Sequence, residues 1–207
     1  MTDASSDYAD WIGRRETTDD DLSLTPALAA AATLDDLSTH FDKGSALPPL
    51  WHWFYFLPRA SQGDLGLDGH PRRGGFMPPI PYPRRMFAGA RLRFHGPLLI
   101  GQTARREVVI RDIRLKSGRS GALAFVSLLC SFHQDGRLCI EEEQDIVYRE
   151  PGPPVACPSV LDWPPLPAEA CARIIAPDPR LLFRFSALTF NAHRIHYDRP
   201  YAMEQEG

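Results

Sequence analysis

The chain has 207 residues, of which 43% are hydrophobic and 24% are charged, so it is long enough to bury a core of its own. Its 23 lysines and arginines nearly balance its 26 aspartates and glutamates, and a net charge of −3 leaves no basic surface for DNA or RNA. The N-terminus lacks the features of a secretory signal and no stretch approaches the roughly 18 apolar residues of a membrane span, so we expect a cytoplasmic protein without a membrane contact.

The N-terminal part of the chain predicts two helices, one strand and one long loop. Helices are predicted at residues 7–15 and 25–35, the second with an alanine-rich body. The aromatic segment 48–58 has prolines at both ends and predicts a bounded strand. Residues 58–85 are rich in Gly, Pro and Arg and predict a loop. A loop of this length is typical of a wall or lid of a ligand site.

Four segments after this loop predict long strands. They are enriched in β-branched residues, and the turn sequences SGRSG and QDGR favour antiparallel pairing. Helices followed by a meander of strands indicate an α+β fold in which a sheet wraps a helix. A plain β-sandwich would leave the N-terminal helices unused. The predicted strands lie at residues 90–98, 104–116, 121–134 and 137–150.

A proline-rich linker divides the chain. Residues 151–180 carry nine prolines and separate a first unit, residues 1–150, from a second unit, residues 181–207. In the second unit, LLFRFSAL predicts a strand and a helix is predicted to begin near Asp198. This unit is too short to bury a core. We therefore expect it to be truncated, or to be completed by another part of the molecule or by a partner.

Polar side chains are concentrated between that predicted strand and helix. The segment from Thr189 to Asp198 contains Asn191, His193 and His196. The free N–H groups at a helix start can stabilise a developing oxyanion. A histidine is suited to moving a proton at neutral pH, because its unperturbed pKa is about 6.5. The segment is therefore a candidate site for thioester chemistry, and we call residues 189–198 the reactive segment.

The string SALTFNAHRIHYD resembles the signature of the MaoC-like hydratases. It is most similar to the branch that contains mesaconyl-CoA and itaconyl-CoA hydratases and the fungal-type 3-hydroxyacyl-thioester dehydratases. The upstream segments PPLWHWFYFLP, GHPRRGGFMPPIP, RRMFAGARLRF and EEEQDIVYRE look like the same branch. The resemblance implies an α+β hot-dog fold of the double type, with a first unit that shapes the acyl pocket. It also implies a lyase that reversibly hydrates an enoyl-CoA, with a C5 dicarboxylic substrate such as mesaconyl-CoA or itaconyl-CoA.

The same resemblance implies the catalytic residues. His196 stands where the MaoC-like hydratases carry their histidine, and Asn191 stands where most of them carry aspartate. An amide cannot act as a base, so we expect His196 to carry the proton transfer and Asn191 to orient water. His196 would activate water for attack on the β-carbon, and proton return to the α-carbon would complete the addition.

Further residues are predicted to contact the substrate. Thr189, His193 and Arg194 lie within the reactive segment and are expected to line the substrate site. CoA phosphates and a substrate carboxylate both call for cationic partners, and one or two arginines are expected to serve. Arg84 and Arg85 are predicted substrate-binding residues of the first unit, and the other candidates are Arg72, Arg73, Arg91, Arg93 and Arg194.

Neither a metal nor an organic cofactor is predicted. His193 and His196 form an H-x-x-H pair, but no third ligand stands at a useful spacing. Neither RRGG nor SGRSG fits a nucleotide phosphate loop. The expected partners are an acyl-CoA thioester and a second copy of the chain, unless a missing C-terminal sheet completes the second unit.

Other interpretations stay open. The chain could dehydrate 3-hydroxyacyl thioesters of fatty-acid metabolism, or it could be an acyl-CoA thioesterase, although thioesterases usually need a carboxylate where this chain has Asn191. It could also be a non-catalytic acyl-CoA-binding fragment or subunit. Taken alone, His196 could be a structural histidine that pairs with Asp198, and Asp198 itself is predicted to cap a helix.

Overall fold

The computed structural model describes residues 4–36, 38–118, 121–150, 167 and 175–206. Five antiparallel strands form one sheet, in the order β1-β3-β4-β5-β2. The strands are β1 (Arg15–Asp20), β2 (Arg84–Phe94), β3 (Ala104–Gly118), β4 (Gly121–Gln134) and β5 (Arg137–Arg149). The α-helices in the described part of the chain are α1 (Leu24–Leu34), α2 (Pro179–Leu188) and α3 (Arg199–Tyr201).

The core lies between the concave face of the sheet and α1. Alternate residues of β4 are buried, among them Val126, Cys130 and Phe132, which is the periodicity of a strand with one face on a core. On α1 the buried positions include Ala27 and Ala30, which belong to the same hydrophobic core as the inner residues of the sheet. The α+β arrangement predicted from the sequence, a sheet that wraps a helix, is confirmed.

The predicted strands agree with the structure except at the sheet edges. The segments 104–116, 121–134 and 137–150 correspond closely to β3, β4 and β5. Strand β2 begins six residues before the predicted segment 90–98 and ends at Phe94, ahead of the Gly96-Pro97 pair. The predicted helix 7–15 was wrong in its second half, because its 3₁₀ turns end at Trp11 and Arg15 already belongs to β1.

The prediction of a strand at residues 48–58 was wrong. The segment contains a 3₁₀ helix, Trp51–Phe54, which turns two side chains toward the same buried carboxylate. His52 Nε2 lies 3.0 Å and Trp53 Nε1 lies 3.2 Å from Oε2 of Glu142 on β5. A buried carboxylate requires such partners, and an extended strand would point these two neighbouring residues to opposite faces. The hydrogen bonds that the buried Glu142 carboxylate requires therefore outweigh the strand propensity of the aromatic residues.

The prediction of a strand at residues 181–188 was also wrong, because these residues belong to α2. The carboxylate of Asp178 accepts a hydrogen bond of 2.8 Å from Leu181 N, and Pro179 occupies the first turn. Both features favour a helix start. The helix packs against α1, and the Phe185 ring lies 5.6 Å from that of Phe54 between centroids.

Residues 151–166 and 168–174 of the predicted linker lie outside the described residues. The division into a first unit, a linker and a second unit therefore stays a prediction. The helix start near Asp198 is confirmed: its carboxylate accepts a hydrogen bond of 3.1 Å from Tyr201 N, and Pro200 lies in the first turn of α3. A π-helical turn, Ala202–Glu206, follows. Within the described ranges, no helix is long and apolar enough to cross a membrane.

Candidate active site

Two segments that are far apart in the sequence meet in a close contact. The backbone N–H of Arg194 donates a hydrogen bond of 2.9 Å to the carbonyl of Asp68, and the Arg194 guanidinium reaches the carbonyl of Leu67 at 3.3 Å. Gly69 has a φ of +88° and lies against the Ala192 carbonyl so closely that a Cβ there would be 1.8 Å from its oxygen. The long loop predicted at 58–85 is thereby docked on the reactive segment.

This docking assembles one carboxylate and three imidazoles. The ring centroids of His70 and His193 are 3.9 Å apart, and those of His193 and His196 are 5.5 Å apart. Asp68 Oδ2 lies 3.1 Å from His70 Nδ1, and Asp68 Oδ1 accepts from the His70 backbone N–H at 3.1 Å. His193 is buried, His196 is exposed, and Asp68 and His70 are half-buried. We call these four residues the histidine cluster.

The charges in the histidine cluster differ from one member to the next. Burial, helped by the charges of His70 and His196, lowers the pKa of His193 to about 4. Partial desolvation of its ring and the charge of His70 also lower the pKa of His196, although the residue as a whole is exposed. Burial alone would raise the pKa of Asp68, but hydrogen bonds from His70 outweigh it and lower that pKa to about 2. At neutral pH the cluster therefore combines an ionised Asp68 with neutral His193 and His196.

The lowered pKa of His193 predicts a dependence of stability on pH. Between pH 6.5 and 4 the unfolded chain protonates His193 and the folded chain does not, so the free energy of unfolding falls as the pH falls. We expect His193→Asn to remove about 2 kcal/mol of the change between pH 7 and 4.5, measured by urea denaturation. His95→Asn, at an exposed histidine elsewhere, should keep the full pH dependence. An unchanged slope in His193→Asn would contradict the assignment.

A cation and a hydroxyl lie beside the cluster. Arg85 on β2 is the cross-strand partner of Tyr148 on β5, so the two side chains share one face of the sheet. After burial and the two neighbouring imidazoles, the charge of Arg85 also contributes to the low pKa of His193. Burial raises the pKa of Tyr148, which keeps its hydroxyl protonated. That hydroxyl has no hydrogen-bond partner among the described residues.

The structure gives two of the predicted site residues contacts within the reactive segment. Thr189 ends α2, and its Oγ1 donates to the carbonyls of Phe185 at 3.0 Å and Ser186 at 3.3 Å. The Oδ1 atom of Asn191 accepts a hydrogen bond of 3.0 Å from the backbone N–H of His193. Asn191 thus braces the turn that carries the histidines. Only its amide oxygen takes part in this hydrogen bond, and its amide NH₂ group does not.

Two of the predicted site arginines, Arg194 and Arg84, make contacts that hold residues 194–205 in place. Nε and Nη2 of Arg194 lie 3.0 and 2.7 Å from Oδ2 of Asp198, and its guanidinium stacks on the Tyr201 ring at 4.0 Å. Arg84 donates a hydrogen bond to the backbone carbonyl of Gln205. Both side chains therefore join elements of the protein, and their roles in substrate binding stay predictions.

Asp68, His70 and Tyr148 were not among the predicted site residues. The length of the loop at 58–85 had indicated a site wall, but the loop alone does not show which residues face the reactive segment. Asp68, His70 and His193 also form the group of possible metal ligands in the described part of the chain, with ligand atoms within 4.8 Å of one another. In this structure Asp68 and His70 are joined by a hydrogen bond, and the His70 and His193 rings are in contact.

A sheet wrapped around a helix, with a carboxylate and three imidazoles held together beside it, fits a hydratase or dehydratase of the hot-dog class. The chain matches the hydroxyacyl-thioester dehydratase type 2 family over residues 50–207, and it belongs to this family of hydro-lyases. The resemblance deduced from the sequence is confirmed.

The chain is similar to two characterised relatives, one over nearly its whole length and the other over most of it. The chain is 66% identical to the mesaconyl-C(4)-CoA hydratase of Chloroflexus aurantiacus over 99% of its length and 72% of the relative's length. It is 28% identical to the mitochondrial hydroxyacyl-thioester dehydratase type 2 of Schizosaccharomyces pombe, over 79% of this chain and 61% of the relative. The chain thus spans less than two thirds of the fungal protein.

Solved structures confirm the hot-dog fold. A MaoC-like dehydratase superposes with a TM-score of 0.58 at 13% identity, over 97% of this chain and 72% of that one. HtdX of Mycobacterium tuberculosis superposes with a TM-score of 0.52 at 15% identity, over 94% and 68%. At these identities the likeness concerns the fold alone.

Proposed function

We propose that this chain hydrates the double bond of a C5 dicarboxylic enoyl-CoA of the mesaconyl type, reversibly, to the 3-hydroxyacyl thioester. The observation that carries the proposal is the histidine cluster, in which neutral His193 lies between contacts to carboxylate-bound His70 and to His196 and is near Arg85. The 66% identity to a mesaconyl-C(4)-CoA hydratase supports the choice of substrate.

His196 is the proposed base. Its lowered pKa leaves it neutral at pH 7, so it can accept a proton from water. The water oxygen bonds to the β-carbon while the electron pair of the double bond moves toward the thioester carbonyl and forms an enolate. A proton then adds to the α-carbon. Asn191 can orient the water through its amide NH₂ group, and dehydration follows the same steps in reverse.

Arg85 is the proposed partner of the substrate's free carboxylate. In mesaconyl-C(4)-CoA this carboxylate is attached to the β-carbon, which is the atom that water attacks. A guanidinium that recognises it must therefore lie beside the base, and Arg85 is close enough to the histidine cluster to lower the pKa of His193. Arginine can bind a carboxylate through two parallel hydrogen bonds.

An enoyl-CoA panel tests the substrate and the role of Arg85 together. Loss of the enoyl-thioester ultraviolet band is followed with mesaconyl-, itaconyl- and crotonyl-CoA, and we expect the wild-type chain to prefer mesaconyl-CoA. Arg85→Gln should lower kcat/KM for mesaconyl-CoA roughly 30- to 100-fold, as expected for a lost charged hydrogen bond, with little change for crotonyl-CoA. Arg93→Gln is the matched control, since Arg93 is exposed on the same strand and pairs with Glu141.

Three results would contradict these assignments. Equal losses for mesaconyl- and crotonyl-CoA in Arg85→Gln would remove Arg85 from carboxylate recognition. Release of free CoA without loss of the enoyl band would indicate a thioesterase. Turnover of 3-hydroxyacyl-CoA substrates that lack a second carboxylate, at rates above those of mesaconyl-CoA, would favour the dehydratase function for which the family is named.

We also propose that a second copy of the chain covers exposed apolar side chains of residues 181–207. Phe183 is 67% exposed, Phe190 is 58% exposed and Met203 is 64% exposed. Exposed apolar surface of this kind is typical of an interface. The second copy predicted from the sequence would cover it. Sedimentation at several concentrations measures the copy number.

A CoA thioester substrate is consistent with the predicted cytoplasmic location.

A further inference from the structure

We propose that His70, positioned by Asp68, is the second proton-transfer group of the site and delivers the proton to the α-carbon of the substrate. This inference rests on the proposed hydration, and it names the group that replaces the acid missing at Asn191. The replacement comes from the loop between α1 and β2, and not from the reactive segment itself.

The geometry gives His70 a free nitrogen and a fixed orientation. Because Asp68 is ionised, the proton on the His70 ring must lie on Nδ1, where it donates to Asp68 Oδ2 at 3.1 Å. The other nitrogen, Nε2, is then the one that exchanges protons. The His70 carbonyl accepts a hydrogen bond of 2.7 Å from Gly66 N, and the Asp68 carbonyl is held by Arg194 N at 2.9 Å. The ring is therefore positioned from both sides.

The electrostatics of the cluster distinguish an acid from a base. Asp68 is the carboxylate that contacts an imidazole here, and it stabilises positive charge on His70. The pKa values of His193 and His196 are lowered by burial and by the charge of His70, so these two rings stay neutral when His70 is charged. The other charges near the cluster are Arg85, which opposes protonation of His193, and Arg194, which is paired with Asp198. The hydrogen bond to Asp68 distinguishes His70 from His196, and the two rings are suited to act as acid and base.

The proton balance closes over one turnover. His196 takes a proton from water as the water oxygen bonds to the β-carbon, and the electron pair of the double bond moves into the enolate. His70 then gives its Nε2 proton to the α-carbon, which collapses the enolate back to the thioester. His70 is now neutral and His196 is protonated. Because His193 lies between the two rings, it or a bound water can return the proton from His196 to His70. The net change is the addition of one water molecule.

The test compares His70→Gln, Asp68→Asn and the control His95→Gln in the full-length protein with mesaconyl-CoA. His70→Gln should lower kcat at least 100-fold with KM changed less than threefold, as expected for loss of a general acid. Asp68→Asn should lower kcat about tenfold with KM changed less than threefold, because an amide no longer fixes the orientation of the His70 ring as the carboxylate does. His95→Gln, at an exposed histidine, should match the wild type.

The outcomes separate this inference from the proposed function. If the wild type hydrates mesaconyl-CoA and His70→Gln keeps kcat within threefold, the role of His70 is refuted and the proposed function stands. A rise in KM alone would make His70 a binding residue and also overturn the inference. An increase in thermal stability with Zn²⁺ that Asp68→Asn abolishes would assign the cluster to a metal and overturn it as well. A wild type without hydratase activity would overturn both proposals.

Discussion

His196→Ala is expected to abolish hydration of mesaconyl-CoA while the fold stays intact. We expect kcat/KM to fall about 10³- to 10⁴-fold, the upper part of the range for a general base. Neither neighbour in the reactive segment can replace the ring: Asn191 is not basic, and His193, with a pKa of about 4, is too weak a base at pH 7. His196 is exposed, so its removal leaves no buried cavity, and the melting temperature should change by less than about 2 °C.

The pH profile gives a second measurement of the same role. The wild-type rate should decline on the acid side as the pH falls through the pKa of His196, which lies below the usual value near 6.5. His133→Ala controls for the loss of a histidine from elsewhere in the sheet. If His196→Ala retains more than a tenth of the wild-type rate, the base must be another group and the mechanism proposed for His196 is wrong.

The central strands were predictable from the sequence because their signals are local. Strands β3, β4 and β5 combine β-branched residues with glycine-containing turns that connect neighbours in the sheet. Strand β1 carries no such signal, since RETTDD has no apolar residue. It is held at the sheet edge by pairing with β3 and by ion pairs such as Arg105 with Asp19 at 2.7 Å. These partners are more than 80 residues apart in the sequence, so pattern alone does not reveal the strand.

The wrong assignment of α2 could have been avoided with the sequence alone. Leu181, Phe185 and Leu188 follow the helical spacing i, i+4, i+7, and the Asp178-Pro179 pair is typical of a helix start. The aromatic segment at 48–58 is different. Its 3₁₀ turn depends on the buried carboxylate of Glu142, which lies 90 residues from His52. The strand and helix propensities of residues 48–58 carry no information about that distant partner.

The same distinction applies to the site. His193 and His196 lie in one continuous string, so the string could carry both the resemblance and the candidate chemistry. Asp68 and His70 belong to a loop whose sequence indicates only that it is long and irregular. Their place beside the histidines depends on backbone contacts between Asp68 and Arg194, which pattern and spacing do not encode. A single-sequence interpretation therefore finds the proposed base, His196, and misses Asp68 and His70.

Gly69→Ala should disrupt the site more than any other small substitution in the loop. At a φ of +88° an alanine costs roughly 1–2 kcal/mol of backbone strain. Its Cβ would also lie 1.8 Å from the Ala192 oxygen, so the loop must move away from the reactive segment. We expect the free energy of unfolding to fall by about 2–4 kcal/mol. Hydration of mesaconyl-CoA should fall at least 100-fold, because Asp68 and His70 lose their position.

Gly74→Ala separates strain from docking. Gly74 lies in the same loop with a φ of +92°, but nothing lies within 4 Å of the position its Cβ would take. This variant therefore carries the backbone strain without the overlap, and its activity should stay within about threefold of the wild type. Equal losses of activity in the two variants would mean that loop strain alone controls the rate. A loss confined to Gly69→Ala would mean that turnover requires close contact between the loop and the histidine-bearing turn, as expected if catalytic groups come from both segments.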